Sequence, residues 1–533
     1  MLLMKISDLE KQYGDRTVVK TGDLAVYEND RIGIVGRNGE GKSTLLKMLV
    51  GELEPDGGTV SLDGEAAYIP QLERMDDLST PELGSKWHVP DRVNLSGGEA
   101  TRKKIAEALA QEAKLIAADE PGSHLDIKGM EKLEEELLAF RGAVLLIAHD
   151  REMLDRICTQ IWEVEDGRVN VYEGNYTEYV SLKEQQVERQ WFEYNEYEKE
   201  KKRLEEAKTE RSQKSASIRK APRRMGNSEA RLHKRSSGKQ KAKLDKGAKA
   251  IQSRIDQLEV KEKPRNARKV TFDLQRFPAI HSRSVINFDR TAVSAGGREL
   301  FNGLTGSVKP GTKVAITGAN GAGKSTLLYA IASETRGIRI AEPARIGMFY
   351  QQLEDLNERK SVLGNVVDKS RYDETFIRIV LARLGFTRES VQRPVSVLSG
   401  GEKVKTSLAR VFLGDYNLLL LDEPTNFLDL MSREALGDVL CAYPGTVLFV
   451  SHDRFLIRQV ADEILEISNE QAVLRGVNEG TQTLKEEEER MDALTLDLKL
   501  SEISGRLTEV RDDKEKEKLE KEYSELIEMK KRM

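Results

Sequence analysis

A chain of 533 residues is too long for one hydrophobic core and predicts roughly two to four domains. One third of the residues are charged, mean hydropathy is -0.53 and the longest apolar runs, at 143–148 and 418–421, are far too short to span a bilayer. With no apolar stretch or small-residue cleavage site at the N-terminus, this predicts a cytoplasmic protein without a membrane partner. Cys158 and Cys441 are the only cysteines, which excludes a disulfide framework and four-cysteine zinc modules, and a net charge of -5 leaves any attraction to nucleic acid to local basic clusters.

In chain order, the first informative element is a β-rich run at 31–35 that leads into Gly36-Arg-Asn38-Gly39-Glu-Gly41-Lys42-Ser43-Thr44 and then a helical pattern. Strand, glycine loop and helix in this order form a phosphate cradle: the backbone amides curl around the anion, Lys42 neutralises β/γ charge, and the Ser43 hydroxyl reaches Mg²⁺. Gln71 follows, then Leu95-Ser96-Gly97-Gly98-Glu99 before another helical pattern, whose amides and serine suit a second anion. A strand at 114–118 runs into Asp119-Glu120, placing two carboxylates near the phosphates. The first can hold Mg²⁺ and the second can polarise an attacking water. A strand at 144–148 ends in His149, placed to sense a γ-phosphate.

From residue 181 to 269 the chain is rich in Glu, Lys, Arg and Gln and cannot build a core. Residues 182–212 and 241–264 read as two charged helices, about 46 and about 36 Å long at about 1.5 Å per residue, forming a hairpin. Between 213 and 249 lie thirteen Lys or Arg, among them Lys214, Arg219, Lys220, Arg223, Arg224, Arg231, Lys234 and Arg235, against Glu229 and Asp245. That density predicts contacts to RNA phosphates. The absence of Phe, Tyr and Trp from 198 to 271 removes stacking platforms for single-stranded bases, so recognition should rest on shape and backbone.

The remaining elements repeat the first series. The strand at 313–317 leads into Gly318-Ala-Asn320-Gly321-Ala-Gly323-Lys324-Ser325-Thr326; Gln351, Leu398-Ser399-Gly400-Gly401-Glu402, Asp422-Glu423 and His452 follow in the same order. Lys42 and Lys324 are 282 apart, and Ser96/Ser399, Glu120/Glu423 and His149/His452 are each 303 apart, so the second copy carries some twenty extra residues before its serine. Strands alternating with helices predict an α/β fold with largely parallel sheets and ligands at the strands' C-terminal ends. The expected domains are 1–180, the linker 181–269, 270–483, and a charged C-terminal helical extension at 484–533.

Glycine loop, LSGGE, Asp-Glu and histidine in this order resemble the ATP-binding-cassette superfamily over about 400 residues. The charged linker between two cassettes resembles the ABC-F family of ribosome-acting ATPases. A short first cassette, a long linker and a C-terminal extension resemble its Vga-like antibiotic-resistance branch. The resemblance implies ATP sandwiched between the glycine loop of one cassette and the LSGGE of the other. Site one would join Lys42, Gln71, Asp119, Glu120 and His149 to Ser399 and Gly401; site two would join Lys324, Gln351, Asp422, Glu423 and His452 to Ser96 and Gly98. Asp126 and Asp429 would lie across the seam. Mg²⁺ would be held by Ser43, Gln71 and Asp119 in one site and by Ser325, Gln351 and Asp422 in the other. The resemblance further implies a monomer bound to rRNA and P-site tRNA, protecting the peptidyl-transferase region from lincosamide, streptogramin A and pleuromutilin-type drugs. A translation factor for stalled ribosomes and a transporter's ATPase subunit are the alternatives. Tyr13 is placed to stack on adenine, with Ala295 in the corresponding place of the second copy, and Asp-Glu-Pro-Gly122-Ser123 departs from the second copy's Asp-Glu-Pro-Thr425-Asn426.

Overall fold

In each half of the chain the strand feeding the glycine loop is apolar on both faces and lies between two parallel neighbours. The computed structural model describes residues 1–70, 87, 97–123, 125–217, 227–261, 272, 277–278, 280–350 and 356–477. It divides into two compact units, residues 1–171 with 269–533, and residues 172–268.

The first half of the larger unit runs β1 (Leu2–Tyr13), β2 (Arg16–Lys20), β3 (Leu24–Tyr27), β4 (Arg31–Val35), α1 (Lys42–Leu49), β5 (Gly57–Leu62), β6 (Ala66–Ile69) and α2 (Gly97–Ala110). It continues with β7 (Leu115–Asp119), α3 (Ile127–Ala139), β8 (Ala143–Ile147), α4 (Arg151–Ile157), β9 (Gln160–Glu165) and β10 (Arg168–Glu173). The sheet order is β3-β1-β2-β10-β9-β4-β8-β7-β6, with β5 on β1. From β9 to β6 all pairs are parallel, whereas β1 pairs antiparallel with β2, β3 and β5. Every residue of β4, β7 and β8 is buried, as a sheet covered on both faces requires.

The linker supplies α5 (Tyr176–Ser217) and α6 (Asn227–Gln257). The second half then repeats the pattern with β11 (Ile286–Ala295), β12 (Arg298–Val308), β13 (Lys313–Gly318), α7 (Lys324–Ala332), β14 (Ile338–Ile340) and β15 (Ile346–Phe349). After these come α8 (Val362–Val367), α9 (Glu374–Arg383), α10 (Gly400–Phe412), β16 (Leu418–Asp422), α11 (Leu430–Ala442), β17 (Thr446–Val450), α12 (Arg454–Val460), β18 (Glu463–Ser468) and β19 (Gln471–Gly476). Its order, β14-β11-β12-β19-β18-β13-β17-β16-β15, places β13 where β4 stands in the first sheet. The extra residues of this half contain α8 and α9, whose Val366, Ile377 and Leu381 pack into a core with Leu408 and Phe412 of α10.

The smaller unit is an antiparallel helical pair, with Glu193 facing Lys261 at 3.6 Å, Lys208 Nζ donating to Gln252 Oε1 at 2.5 Å, and Ser215 Oγ donating to Asp245 Oδ1 at 2.5 Å. Among the described residues, Leu204 and Ile251 are its buried aliphatics. Both helices extend beyond the 182–212 and 241–264 limits at their starts. Asn175 explains the first: its Oδ1 accepts from the Glu178 amide at 3.0 Å while Glu178 Oε2 accepts from the Asn175 amide at 3.0 Å, a reciprocal cap that starts the helix at Tyr176. The second starts fourteen residues early because the helix runs on through Ser236-Ser237-Gly238, whose weak propensity is outweighed by the strong helix formers on either side. Lys214 lies on α5 and Arg231, Lys234 and Arg235 lie on α6. Arg219, Lys220, Arg223, Arg224 and the extension at 484–533 fall outside the described residues. Among the described residues no helix is long and apolar enough to cross a membrane.

The two halves of the larger unit meet along a charged seam. Arg454 of the second half pairs with Glu134 of the first, a fully buried carboxylate also held by Arg156 at 2.7 Å. Arg454 also faces Asp150 at 3.5 Å and Glu152 at 3.4 Å, and Arg151 answers Glu434 at 3.5 Å. Removing Arg454 leaves the buried Glu134 to Arg156 alone and takes a charge-assisted hydrogen bond from it, which costs about 1.5–3 kcal/mol. Arg454→Ala is therefore expected to lower the denaturant midpoint by that equivalent, while Lys199→Ala, which removes an exposed pair, shifts it by less than about 0.5 kcal/mol. Equilibrium unfolding of both variants checks this.

Candidate nucleotide sites at the seam

The two glycine loops have nearly the same backbone. Gly36, Gly39 and Gly41 take φ of 151, 82 and 100°, and Gly318, Gly321 and Gly323 take 149, 78 and 100°. At the first position a side chain is excluded outright, because a Cβ on Gly36 would lie 2.4 Å from the Val164 carbonyl oxygen and one on Gly318 would lie 2.5 Å from that of Ile467. Each loop opens into a helix that begins at the lysine, so free amides point into the cradle. Lys42 Nζ donates to the carbonyls of Gly36 at 2.9 Å and Arg37 at 3.0 Å, and Lys324 Nζ donates to those of Gly318 and Ala319 at the same distances. Both lysines are buried, which lowers their pKa below the ordinary range.

Beside each lysine stands a serine–aspartate pair. Ser325 Oγ donates to Asp422 Oδ1 at 2.9 Å, and Ser43 is hydrogen-bonded to Asp119. Burial raises the pKa of both aspartates, and Asp119 Oδ1 is a buried oxygen without a hydrogen-bond partner. A hydroxyl, a carboxylate and an orphaned oxygen beside a phosphate cradle form the hard-oxygen donor set that Mg²⁺ takes. These residues fit the ion.

Glu120 and Glu423 are the next residues, and both adopt left-handed backbone, with φ of 51 and 48°. For a non-glycine residue this is strained, and the same strain at equivalent positions in both halves marks a held geometry. The amides of Glu120 and Glu423 donate to the carbonyls of Ile147 at 2.9 Å and Val450 at 3.1 Å, which locks the turn to the neighbouring strand. His149 Nε2 lies 2.9 Å from Glu120 Oε1, and His452 Nε2 lies 3.4 Å from Glu423 Oε1. Electrostatically the pairs differ. Burial pushes the Glu120 carboxyl up, but the bond and charge of His149, with Arg433 and Lys42, outweigh it and leave it below the usual range. Burial pushes Glu423 up to about 7, and burial with the charge of Lys324 brings His452 down to about 4.

The seam joins the first glycine loop to the second half. The Asn38 amide donates to Asp429 Oδ2 at 3.2 Å, and Asn38 Nδ2 donates to the Phe427 carbonyl at 3.3 Å. Burial raises the Asp429 carboxyl, but Lys405, the Ser432 cap and the Asn38 amide outweigh it and hold it at about 2. Ser399 caps α10 in a reciprocal box with Glu402, and a Cβ on the next-but-one residue, Gly401, would lie 2.8 Å from the Phe427 carbonyl oxygen and 3.7 Å from Asn38 Nδ2. Asp126, which caps α3, is near enough for its charge to bear on Lys324 and His452. A cavity of about 1090 Å³ is lined by both glycine loops, Gly98, Gly400, Gly401, Glu120 and Glu423.

The structure thus brings Gly39, Gly41, Lys42, Ser43, Thr44, Glu120 and His149 of one half together with Gly321, Gly323, Lys324, Ser325, Thr326, Glu423 and His452 of the other, around one cleft. Gln71, Ser96 and Gln351 lie outside the described residues. Tyr13 is exposed at the end of β1, whereas Val18, Ala295 and Leu300 line the cavity. Asp150 and Asp453, which follow the histidines and cap α4 and α12, were not singled out by spacing, although an aspartate three residues before a helix amide is a capping signal. Arg433 also lines the cleft, and no repeated motif contains it.

The family model described as ABC transporter matches residues 19–81 and 301–426. The chain is 34% identical to the erythromycin resistance ATP-binding protein MsrA of Staphylococcus epidermidis, over 88% of this chain and 98% of that protein. It is 30% identical to the ribosome protection protein VmlR of Bacillus subtilis, over 98% and 97%. Among solved structures, the archaeal ribosome recycling factor aABCE1, in complex with the stalk protein aP1, has the same fold at a TM-score of 0.62 and 21% identity, over 90% of this chain and 92% of that one.

Gly401→Ala places a methyl against a backbone carbonyl, which cannot rotate away, so the seam at Asn38 must open. ATP turnover by this variant is expected to fall by about tenfold or more with the melting temperature nearly unchanged, because the loss is in alignment across the seam. Steady-state phosphate release and a thermal melt test it.

Proposed function

The chain belongs to the ABC-F family of ATPases, and on that premise we propose that it protects the ribosome from drugs bound in the peptidyl-transferase region. In this reading the basic helical pair at 172–268 is the part that touches RNA, and its tip reaches P-site tRNA. The single observation that carries it is this helical pair set between the two ATPase halves of the sequence, with Lys239, Lys241, Lys243, Lys246 and Lys249 exposed on α6. The names of two relatives, an erythromycin resistance protein and a ribosome protection protein, support it.

In this reading each residue takes the role that the family resemblance implies for it. Lys42 and Lys324, with their loop amides, bind the phosphates of two ATP molecules. Asn38 and Asn320 bind ATP as part of the loops, Asn38 also holding its loop to the seam, and Ser96, Gly97, Gly98, Ser399, Gly400 and Gly401 close over the phosphates from the opposite half. Ser43, Gln71 and Asp119, and Ser325, Gln351 and Asp422, would hold Mg²⁺, which neutralises phosphate charge when bound. Glu120 and Glu423 orient water and accept its proton, with His149 and His452 beside them on the γ-phosphate side. Tyr13 packs on the base in site one. Binding of ATP draws the halves together, and loss of the γ-phosphate removes the charge that held them. Turnover therefore times release from the ribosome.

Replacing both Glu120 and Glu423 by Gln should leave ATP bound and unhydrolysed, so retention on ribosomes with ATP is expected to rise by about fivefold or more over the parent chain. Cosedimentation that shows no rise rejects the clamp. Neutralising Lys239, Lys241, Lys243 and Lys246 to Gln should lower the slope of log affinity against log salt by up to about four, roughly one per lysine in contact with phosphate. The protection itself is tested by expression in a susceptible bacterium challenged with a lincosamide, a streptogramin A, a pleuromutilin and erythromycin. Raised tolerance to at least one is expected; none, with ribosome binding intact, favours a drug-independent translation factor.

A further inference from the structure

Of the charged groups lining the cleft, Arg433 breaks the repeat. The displacement of 303 that relates Glu120 to Glu423 and Asp126 to Asp429 sets Met130 opposite it. Its surroundings change with it. Where the second half has Thr425 and Ser451, with Oγ1 and Oγ 3.5 Å apart, the first half has Gly122 and Ala148. A Cβ on Gly122 would lie 3.6 Å from both Met130 Sδ and Met153 Cε, so this corner of the first half is small and apolar. Arg433, in contrast, is held by polar groups: its Nε donates to the Leu428 carbonyl at 3.1 Å and its Nη1 to Asp453 Oδ2 at 3.5 Å.

Arg433 is also well placed. It lies in the first turn of α11, four residues after Asp429, whose side chain receives the Asn38 amide. The helix that docks on the first glycine loop therefore carries a guanidinium into the cleft lined by Glu120, His149 and Glu423. There its charge bears on Glu120 and His149 of the other half as well as on Glu423 of its own. The side chain is 20% exposed, so water screens it only in part.

We propose that Arg433 is a positioning residue supplied by the second half to site one, where it holds the Glu120–His149 pair in place for hydrolysis, while its anchor on Asp453, beside His452, links that arrangement to site two. Site two receives Met130 in the corresponding place, so no arginine reaches it there from the opposite half, and hydrolysis at the two sites is unequal. The proposal rests on Glu120 being the carboxylate that orients the attacking water.

The test uses the full chain and steady-state ATP turnover, with a thermal melt of every variant. Arg433→Met should lower kcat by about tenfold while leaving KM for ATP within about twofold, because the missing interaction acts on the chemical step. Arg433→Lys, which keeps the charge, should recover at least about a third of the parent kcat. Added to Glu120→Gln, Arg433→Met should change kcat by less than about twofold, since its target is already gone. An unchanged kcat in Arg433→Met, with Glu120→Gln strongly impaired, overturns the role of the arginine alone. Equal losses of kcat and melting temperature in the Met and Lys variants reduce Arg433 to a packing residue and overturn it too. If Glu120→Gln itself turns over like the parent chain, the site assignment beneath the proposal fails.

Discussion

A phosphate loop presents a row of backbone amides, and at a buried seam those amides need acceptors on the facing surface. In this chain one acceptor comes from the other half of the sequence: Asp429 receives the Asn38 amide across 391 positions. Much of the larger unit follows from that contact. Asp429 can serve because it also caps α11, where the Ser432 amide and Lys405 keep it ionised. The same loop, through the Phe427 carbonyl, binds the Asn38 side chain and sets how closely Gly401 approaches. A shared site is thus the consequence of satisfying one loop's hydrogen bonds.

The ion pairs behind the seam add a fixed side to what would otherwise be two separable plates. Glu134 has no exposed surface, and its two arginine partners come from different halves, so parting the halves there breaks the Arg454 pair and leaves Glu134 to Arg156 alone. The repeat places Gly437 where the first half has Glu134, and Arg151, the counterpart of Arg454, meets the partly exposed Glu434 at 3.5 Å instead. The two equivalent arginines therefore meet carboxylates of different burial.

The two Glu–His pairs show the same departure from symmetry. Glu120 and His149 approach to 2.9 Å with the carboxyl held in its charged form, while Glu423 and His452 stand 3.4 Å apart with the carboxyl pushed up to about 7. Ser123, at the place of Asn426, adds an interaction with Glu120 Oε2 at 3.4 Å. Two copies of one module have therefore become two environments through a few neighbours of unchanged motifs.

What the sequence determined is whatever depends on local spacing. Glycines that tolerate φ near 150°, a lysine at a helix start and acids at the ends of apolar strands are local requirements, so both loops, Asp119-Glu120 and Asp422-Glu423 were legible, as was the repeat that fixed two α/β halves. That the first glycine loop faces the second half was legible only through family resemblance, because no pattern within a single module says which surface it faces. Helix ends in the linker were misplaced because Asn175 and Glu178 act as a pair, and because a weak Ser-Ser-Gly stretch is carried by its neighbours. Tertiary structure alone decided the partners of Glu134, the strain shared by Glu120 and Glu423, and the place of Arg433 in the cleft. Each depends on burial and on charges far apart in the chain, which periodicity and composition do not encode.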